Sequence, residues 1–259
     1  MVQVHDLIAD PPKLHAHRGE LLSDWRLGDE TLLFLDQHVT AGMKTIETGA
    51  GISTVVFALS GAKHTCIVPD GGEVDRIRSY CDEQNISHTN VDFIIGRSEY
   101  TLPKLEDKDF DLALIDGRHG FPAPFIDWFY MAGLLKLGGI LIIDDIRIWT
   151  CELLLQFLVS EEEWILLEEN LGAAIVVKQG NNAQHKEWVD QTFVLRRSRS
   201  VSLSAKARYL LNLLRRGNLP LLWGAVALGV SSAKAGKLDK VLGRRDLREV
   251  WGNSGDQNH

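Results

Sequence analysis

Two short apolar segments in the middle of the chain each run directly into acidic residues. Residues 111–115 (DLALI) are followed by Asp116, and residues 140–143 (ILII) are followed by Asp144 and Asp145. Segments this apolar are typical of parallel strands that helices cover on both faces. The carboxyl ends of neighbouring parallel strands share one crevice, where ligands bind. Carboxylates that cluster there need a cationic or hydrogen-bonding partner, so we expect a functional site.

Most of the first 180 residues alternate between strand-like and helix-like segments. We expect strands at residues 44–47, 64–68, 91–95, 111–115, 140–143, 164–168 and 173–178. Apolar residues at helical spacing fill several of the intervals between them. The pattern predicts an α/β fold, with a doubly wound, Rossmann-like and mostly parallel seven-stranded sheet. His119 follows the fourth strand and would join the carboxylates at the edge of this sheet.

Charge is divided unevenly along the chain. Residues 196–259 contain 13 Lys and Arg against 4 Asp and Glu, a balance of +9. Residues 1–195 contain 15 against 31, a balance of −16. We therefore predict an N-terminal segment over residues 1–28, an acidic α/β domain over residues 29–195 and a basic, partly apolar helical tail over residues 196–259. The serine-rich residues 198–204 are expected to be a linker.

The tail allows several kinds of contact. Its apolar residues 219–230 are too few to cross a bilayer. We expect the tail to pack against the domain or against a second subunit, which would give a homo-oligomer. Peripheral membrane contact is the alternative. The net charge of −7 and the lack of interleaved aromatic residues argue against nucleic-acid binding.

The three cysteines and the N-terminus point to a compartment. Cys66, Cys81 and Cys151 show no metal-ligand spacing, which indicates a reducing environment. The N-terminal residues lack the basic start and apolar run of a signal peptide. We therefore expect the protein in the cytoplasm.

A glycine-rich turn follows the first strand of the predicted sheet. Glu47, Gly49 and Gly51 form a Glu-x-Gly-x-Gly pattern, in which glycines let a ligand approach the backbone. A dinucleotide-binding turn would need a third glycine where Thr54 stands, and Glu47 would repel a pyrophosphate. The acid suits a ligand with a cationic end, such as S-adenosylmethionine. Asp70 ends the second strand and suits a ribose diol.

With these motifs, the chain resembles the class I S-adenosylmethionine-dependent methyltransferases over roughly residues 29–180. ETGAGIS resembles their first motif, CIVPD the acidic end of their second strand, and GRSEYTLPKL the segment after their third strand. DLALIDG and LLKLGGILIIDD resemble their fourth and fifth strands. The resemblance implies S-adenosylmethionine as cofactor. It also implies cofactor contacts from Glu47, Gly49, Gly51 and Ser53, from Asp70 to the ribose, from Arg97 and Ser98 near the adenine, and from Asp116 if this residue orients the methionine end.

Within this family, Asp-Gly-x-His with a later Asp-Asp pair resembles the cation-dependent O-methyltransferases of catechols and natural-product sugars. The resemblance implies that Asp116, Asp144 and Asp145 hold Mg²⁺ or another divalent cation, which favours oxygen ligands. Such an ion lowers the pKa of a coordinated hydroxyl, and His119 could then take the proton. Asp116 and His119 are therefore the candidate catalytic residues.

Each of these assignments has an alternative. Asp116 could only orient the cofactor, and Asp144 and Asp145 could accept hydrogen bonds from the substrate or cap a helix. His119 could be a loop residue bonded to the backbone.

The expected function is methyl transfer to a hydroxyl of a small-molecule acceptor, such as a sugar or another polyol, with possible assistance by a divalent cation. A cation-independent methyltransferase with His119 as the sole base is an alternative. A second alternative is a catalytically silent cofactor-binding module that docks a partner or a membrane through its basic tail. Glu47 and Thr54 both argue against a dehydrogenase.

Overall fold

A sheet of seven strands carries the candidate site. Its strands are β3 (Lys44–Thr48), β4 (Lys63–Val68), β5 (Val91–Ile95), β6 (Phe110–Ile115), β7 (Leu135–Ile143), β8 (Trp164–Glu169) and β9 (Ala174–Lys178), and a separate hairpin consists of β1 (His15–His17) and β2 (Glu20–Leu22). The order in the sheet is β5-β4-β3-β6-β7-β9-β8, with β3 to β7 parallel, β9 antiparallel to β7 and β8 antiparallel to β9. This arrangement confirms the predicted doubly wound, mostly parallel sheet.

The computed structural model describes residues 2–23, 26–181 and 185–215, which belong to two units, Met1–His185 and Lys186–His259. The helices of the first unit are α1 (Val4–Ala9), α2 (Asp29–His38), α3 (Ile52–Ser60), α4 (Gly71–Glu83), α5 (Ser98–Thr101), α6 (Ala123–Leu134) and α7 (Trp149–Leu158). Among the described residues, no helix is long and apolar enough to cross a membrane.

Burial of the central strands leaves the functional groups at one edge of the sheet. Ile46, Leu114 and Ile142 lie on the three central strands and are fully buried. Ile115 and Ile143, the last residues of β6 and β7, are paired in register and are also buried. Polar side chains on these strands can therefore reach solvent only where the strands end.

Strand β7 begins five residues before its predicted start at Ile140. Leu135 pairs with Phe110 of β6, and the register then shifts between Phe110 and Leu112. Gly138, with φ of +77°, lies in this irregular part of the strand. The Leu-Lys-x-Gly-Gly sequence therefore forms a bulged strand start, because glycine admits the positive φ that a bulge requires.

In the described part of the second unit, helix α8 (Thr192–Arg215) runs through the predicted linker. The prediction of a linker at residues 198–204 is therefore wrong. Serine costs only a fraction of a kcal/mol per residue in a helix, and the flanking Leu, Arg, Lys and Ala residues favour one. Residues 216–259, which include the apolar segment at residues 219–230, lie outside the described residues.

Candidate active site

The ladder of the sheet continues for one residue beyond β6 and β7 and sets two aspartates side by side. The Asp116 amide donates to the Thr48 carbonyl (3.0 Å), and the Asp144 amide donates to the Ile115 carbonyl (3.0 Å). Burial, followed by the negative charge of Asp145, raises the pKa of Asp144 to about 6. Burial and the charge of Asp144 raise the pKa of Asp116 well above its usual range. Both carboxyl groups therefore keep a proton to a higher pH than an exposed aspartate does.

His119 lies between the acidic cluster and a thiol. Its Nε2 is 3.3 Å from Asp145 Oδ2 and 4.0 Å from Asp116 Oδ1, and its Nδ1 is 3.5 Å from Cys151 Sγ. Asp145 has a φ of +55°, which is a left-handed backbone conformation. Residues other than glycine rarely adopt this conformation, because it costs them conformational energy. Burial lowers the pKa of His119, and the charge of Asp145 opposes this shift. The arrangement holds an imidazole that is neutral more readily than a free histidine, with a carboxylate beside it to stabilise a proton once it is taken up.

The Glu47 carboxylate faces the protein interior. It is fully buried and accepts hydrogen bonds from Ser53 Oγ (2.7 Å) and from Thr54 Oγ1. The His64 ring also borders the Glu47 carboxylate, with His64 Nε2 3.1 Å from Glu47 Oε1. On the other side of the ring, His64 Nδ1 lies 2.8 Å from Thr45 Oγ1. The side chains of Glu47 and Ser53 are thus engaged with each other beneath the glycine turn.

A different set of side chains, and not the predicted cation ligands, brings its donor atoms closest together. In the described ranges, the donor atoms of Glu47, His64 and Cys66 form the one set of three that lie within 4.8 Å of one another. This set is buried, and burial is the main reason that the pKa of the Cys66 thiol is raised. Since Glu47 already accepts hydroxyl hydrogen bonds there, we interpret the set as an internally bonded polar network.

Gly49 brings the glycine turn into direct contact with Asp116. The Gly49 backbone has a φ of +92°, and its amide donates to the Ile67 carbonyl (2.9 Å). A Cβ at this position would lie 2.8 Å from the Asp116 carbonyl carbon and would overlap its oxygen. Only glycine fits both the conformation and the space, so the turn and Asp116 form one packed unit.

The other predicted cofactor residues lie along the ends of β4 and β5. Asp70 is the N-cap of α4, accepts from the Gly72 amide (3.0 Å) and lies 3.3 Å from Arg76 Nη2. More than half of the Asp70 side chain remains exposed. Arg97 is the exposed residue before α5, and Ser98 begins that helix.

Asp127 was not anticipated from the sequence. Among the described residues, neither of its carboxylate oxygens nor the Thr48 hydroxyl has a hydrogen-bond partner, although all three atoms are buried. Burial raises the pKa of Asp127, while the nearby hydroxyls of Ser98 and Thr48 lower it. Unpaired buried polar groups are costly and need an explanation. In the sequence, the only indication of this role is that Asp127 is the one acidic residue within the apolar helix segment PFIDWFYM.

Comparisons with known proteins agree with this architecture. A family model described as a methyltransferase domain matches residues 46–146. The fold is similar to that of cofactor-bound Rv0187 from MTB, with 17% identity and a TM-score of 0.53 over 60% of this chain and 83% of that one. The O-methyltransferase TomG from Streptomyces achromogenes, solved in complex with SAM, is 15% identical with a TM-score of 0.51 over 61% of this chain and 84% of that one.

A protein from Corynebacterium glutamicum gives similar values, with 16% identity and a TM-score of 0.50 over 61% of this chain and 84% of that one. The search of curated proteins gave no match. At these identities, the solved structures establish the fold, whereas the family model matches the glycine turn and the acidic strand ends directly. Residues 46–146 are therefore similar to a methyltransferase domain, and the sheet around them has the fold of the O-methyltransferase TomG.

Proposed function

We propose that this protein methylates a hydroxyl oxygen of a small molecule, such as a sugar or another polyol. The observation that carries the proposal is the position of His119, which faces Asp145 and Asp116 at the carboxyl ends of β6 and β7. Asp116 in turn packs against Gly49 of the glycine turn. A proton acceptor and the expected cofactor site therefore share one crevice, as oxygen methylation requires.

The glycine turn fits S-adenosylmethionine, which supplies an electrophilic methyl group when bound. Gly49 and Gly51 leave the backbone bare, and the amides in the first turn of α3, including that of Ser53, point out of the helix end. Glu47 supports this turn from below through Ser53 and Thr54 rather than by direct contact. We assign Glu47 the role of fixing the shape of the turn.

The rim of the crevice offers further cofactor contacts. Asp70 has the exposure needed to accept from ribose hydroxyls. Arg97 and Ser98 follow β5 and would lie near the adenine. Asp127, whose pKa the Ser98 hydroxyl lowers, and Thr48 carry buried oxygens without a partner, and a ligand or a bound water would supply the hydrogen bonds that these oxygens lack.

We further propose that Asp116, Asp144 and Asp145 bind a divalent cation. Carboxylate oxygens are the ligands that Mg²⁺ prefers, and such an ion, when bound, would acidify an acceptor hydroxyl. A cation would also offset the burial and the mutual repulsion that raise the pKa values of Asp116 and Asp144. Asp145 Oδ2 lies 3.3 Å from His119 Nε2, so a shared ion would take the other oxygen of this carboxylate.

In this proposal, His119 takes up the proton that the acceptor hydroxyl loses. With the cofactor bound, the acceptor oxygen would bond to the methyl carbon as the carbon–sulfur bond breaks and S-adenosylhomocysteine leaves, and the hydroxyl proton would pass to the imidazole. The lowered pKa of His119 keeps the ring unprotonated beforehand. Asp145 then stabilises the charged ring through Nε2, since a carboxylate is the natural partner of an imidazolium.

Calorimetric titration with S-adenosylhomocysteine, with Mg²⁺ and with EDTA, tests the proposal. We expect micromolar binding under both conditions, followed by turnover of hydroxylated acceptors that EDTA reduces. Turnover that survives EDTA would favour His119 as the sole base. Cofactor binding without turnover of any acceptor would favour the silent binding module, and absence of binding would refute the assignment of a cofactor site.

A further inference from the structure

Two aromatic residues lie exposed near His119, at the edge of the sheet where the candidate site is found. Phe121 follows His119 by two residues, and Trp149 is the first residue of α7. Each of the two aromatic residues has 66% of its surface exposed. Their ring centroids are 6.3 Å apart, with an angle of 39° between the ring planes. Single exposed apolar residues are normal on a protein surface, but two that contact each other beside a site need an explanation.

The two chain segments that carry these rings also meet at a buried contact. His119 Nδ1, in the segment after β6, lies 3.5 Å from Cys151 Sγ in the first turn of α7. Cys151 is fully buried, whereas Phe121 and Trp149 contact each other at the surface. The segment after β6 and the start of α7 therefore place a proton acceptor and an exposed aromatic pair side by side.

Contacts on both sides hold the aromatic pair in place. The Ile148 amide donates to the Asp145 carbonyl (2.7 Å), so Trp149 begins its helix directly after the acidic end of β7. On the other side, the Phe125 ring of α6 packs edge-on against Phe121, with centroids 6.3 Å apart. Because the rings are held before a ligand arrives, covering them costs little conformational entropy.

The shape and polarity of this surface indicate what would cover it. Removal of apolar surface from water is favourable roughly in proportion to its area, and a flat ring is covered best by another flat face. An aromatic ring or a pyranose ring has such a face, and its hydroxyl groups lie at the rim, where His119 and Asp145 can reach one of them. An open-chain polyol has hydroxyl groups along its whole length and offers no continuous apolar face.

We propose that Phe121 and Trp149 bind the apolar face of a ring in the methyl acceptor and direct one of its hydroxyl groups toward His119. The site therefore selects cyclic acceptors over open-chain polyols. This inference rests on the proposed function, because it concerns the acceptor of the same site. Phe121 and Trp149 determine specificity and take no part in proton transfer. Trp149 lies outside residues 46–146, which match the family model.

The test compares catechol, methyl β-glucopyranoside and sorbitol in an assay that measures S-adenosylhomocysteine release. We expect kcat/KM for at least one of the two cyclic acceptors to exceed that for sorbitol by about 10-fold or more, which is the effect of two aromatic contacts. Preference for catechol identifies an aromatic acceptor, and preference for the glucoside identifies a sugar.

Variants of the aromatic pair test its role directly. Trp149→Leu and Phe121→Leu keep apolar bulk but lose the flat face. Each should raise KM for the better cyclic acceptor by about 3- to 10-fold and leave kcat nearly unchanged, because one aromatic contact is lost. Trp149→Phe keeps a flat ring and should recover most of the loss.

Leu137→Ala is the matched control, because Leu137 is 55% exposed and lies near the start of β7, away from the acidic end of that strand. S-adenosylhomocysteine affinity should stay unchanged in every variant, since the rings contact the acceptor. Sorbitol as the best acceptor, or an unchanged KM in both leucine variants, would refute this inference and leave the proposed function standing. Methylation of none of the three compounds would refute the proposed function and this inference with it.

Discussion

Replacing Gly49 by alanine should damage both stability and cofactor binding, and Gly42 provides a matched control. Both glycines have a φ of +92°. No atom lies within 4 Å of a Cβ built on Gly42, whereas a Cβ on Gly49 would overlap the carbonyl of Asp116. The two substitutions therefore share the same backbone strain and differ only in the collision.

The structure sets the size of the difference. A left-handed backbone costs a non-glycine residue about 1–2 kcal/mol, so Gly42→Ala should lower the free energy of unfolding by about that much. Gly49→Ala carries the same cost plus that of overpacking, which is typically about 1–3 kcal/mol because packed interiors do not compress. The Asp116 peptide is hydrogen-bonded to Thr48 and cannot move without breaking the end of the ladder.

Urea denaturation of both variants measures these costs, and titration with S-adenosylhomocysteine measures the second effect. We expect Gly49→Ala to be the less stable variant by about 1–3 kcal/mol and to lose cofactor affinity, while Gly42→Ala binds normally. Equal destabilisation of the two variants with unchanged binding would show that the turn and Asp116 are not packed as one unit.

Three further substitutions test separate features. His119→Ala should lower kcat by about 10²- to 10⁴-fold and leave S-adenosylhomocysteine affinity unchanged, and full turnover would remove His119 as the base. Asn90→Ala removes side-chain hydrogen bonds to the Phe57 (3.2 Å) and Ala62 (2.8 Å) carbonyls at the end of α3. It should lower the free energy of unfolding by about 1–2 kcal/mol in urea, and an unchanged midpoint would contradict this. Asp127 has a raised pKa in the folded protein, so the folded state holds its proton more tightly than the unfolded state does. The unmodified protein should therefore lose stability relative to Asp127→Asn as the pH rises from the ordinary Asp pKa, about 4, through the raised value. If the free energy of unfolding of the two proteins depends on pH in the same way, the assigned pKa shift of Asp127 is wrong.

The strands and the glycine turn could be predicted because their signals are local. The apolar runs before Asp116 and Asp144 are contiguous in sequence, and the period of a strand follows from its own residues. Proximity of these acids then follows from the rule that parallel strands end at one edge. The late start assigned to β7 shows the limit, since Leu135 joins the strand through its pairing with Phe110.

Features that depend on distant contacts could not be predicted in this way. Glu47 looks the same in sequence whether it faces a ligand or the interior, and it is Thr54 and His64 that turn it inward. His15 gains its position from Glu73, 58 residues away. Asp145 adopts a left-handed φ that the residues around it in the sequence do not predict. Each of these outcomes is decided by tertiary packing rather than by the local sequence.

The state of the three cysteines makes this protein suitable for site-specific labelling. Cys66, Cys81 and Cys151 are all buried, and burial raises the pKa of Cys81 to about 11 and that of Cys151 to about 12. Thiol reagents attack exposed thiolates, so none of the native cysteines offers a reactive target at neutral pH. A single exposed thiol introduced by Glu20→Cys would thus carry a fluorophore on the hairpin without removal of any native cysteine. The dye would report directly whether the hairpin moves when the cofactor binds.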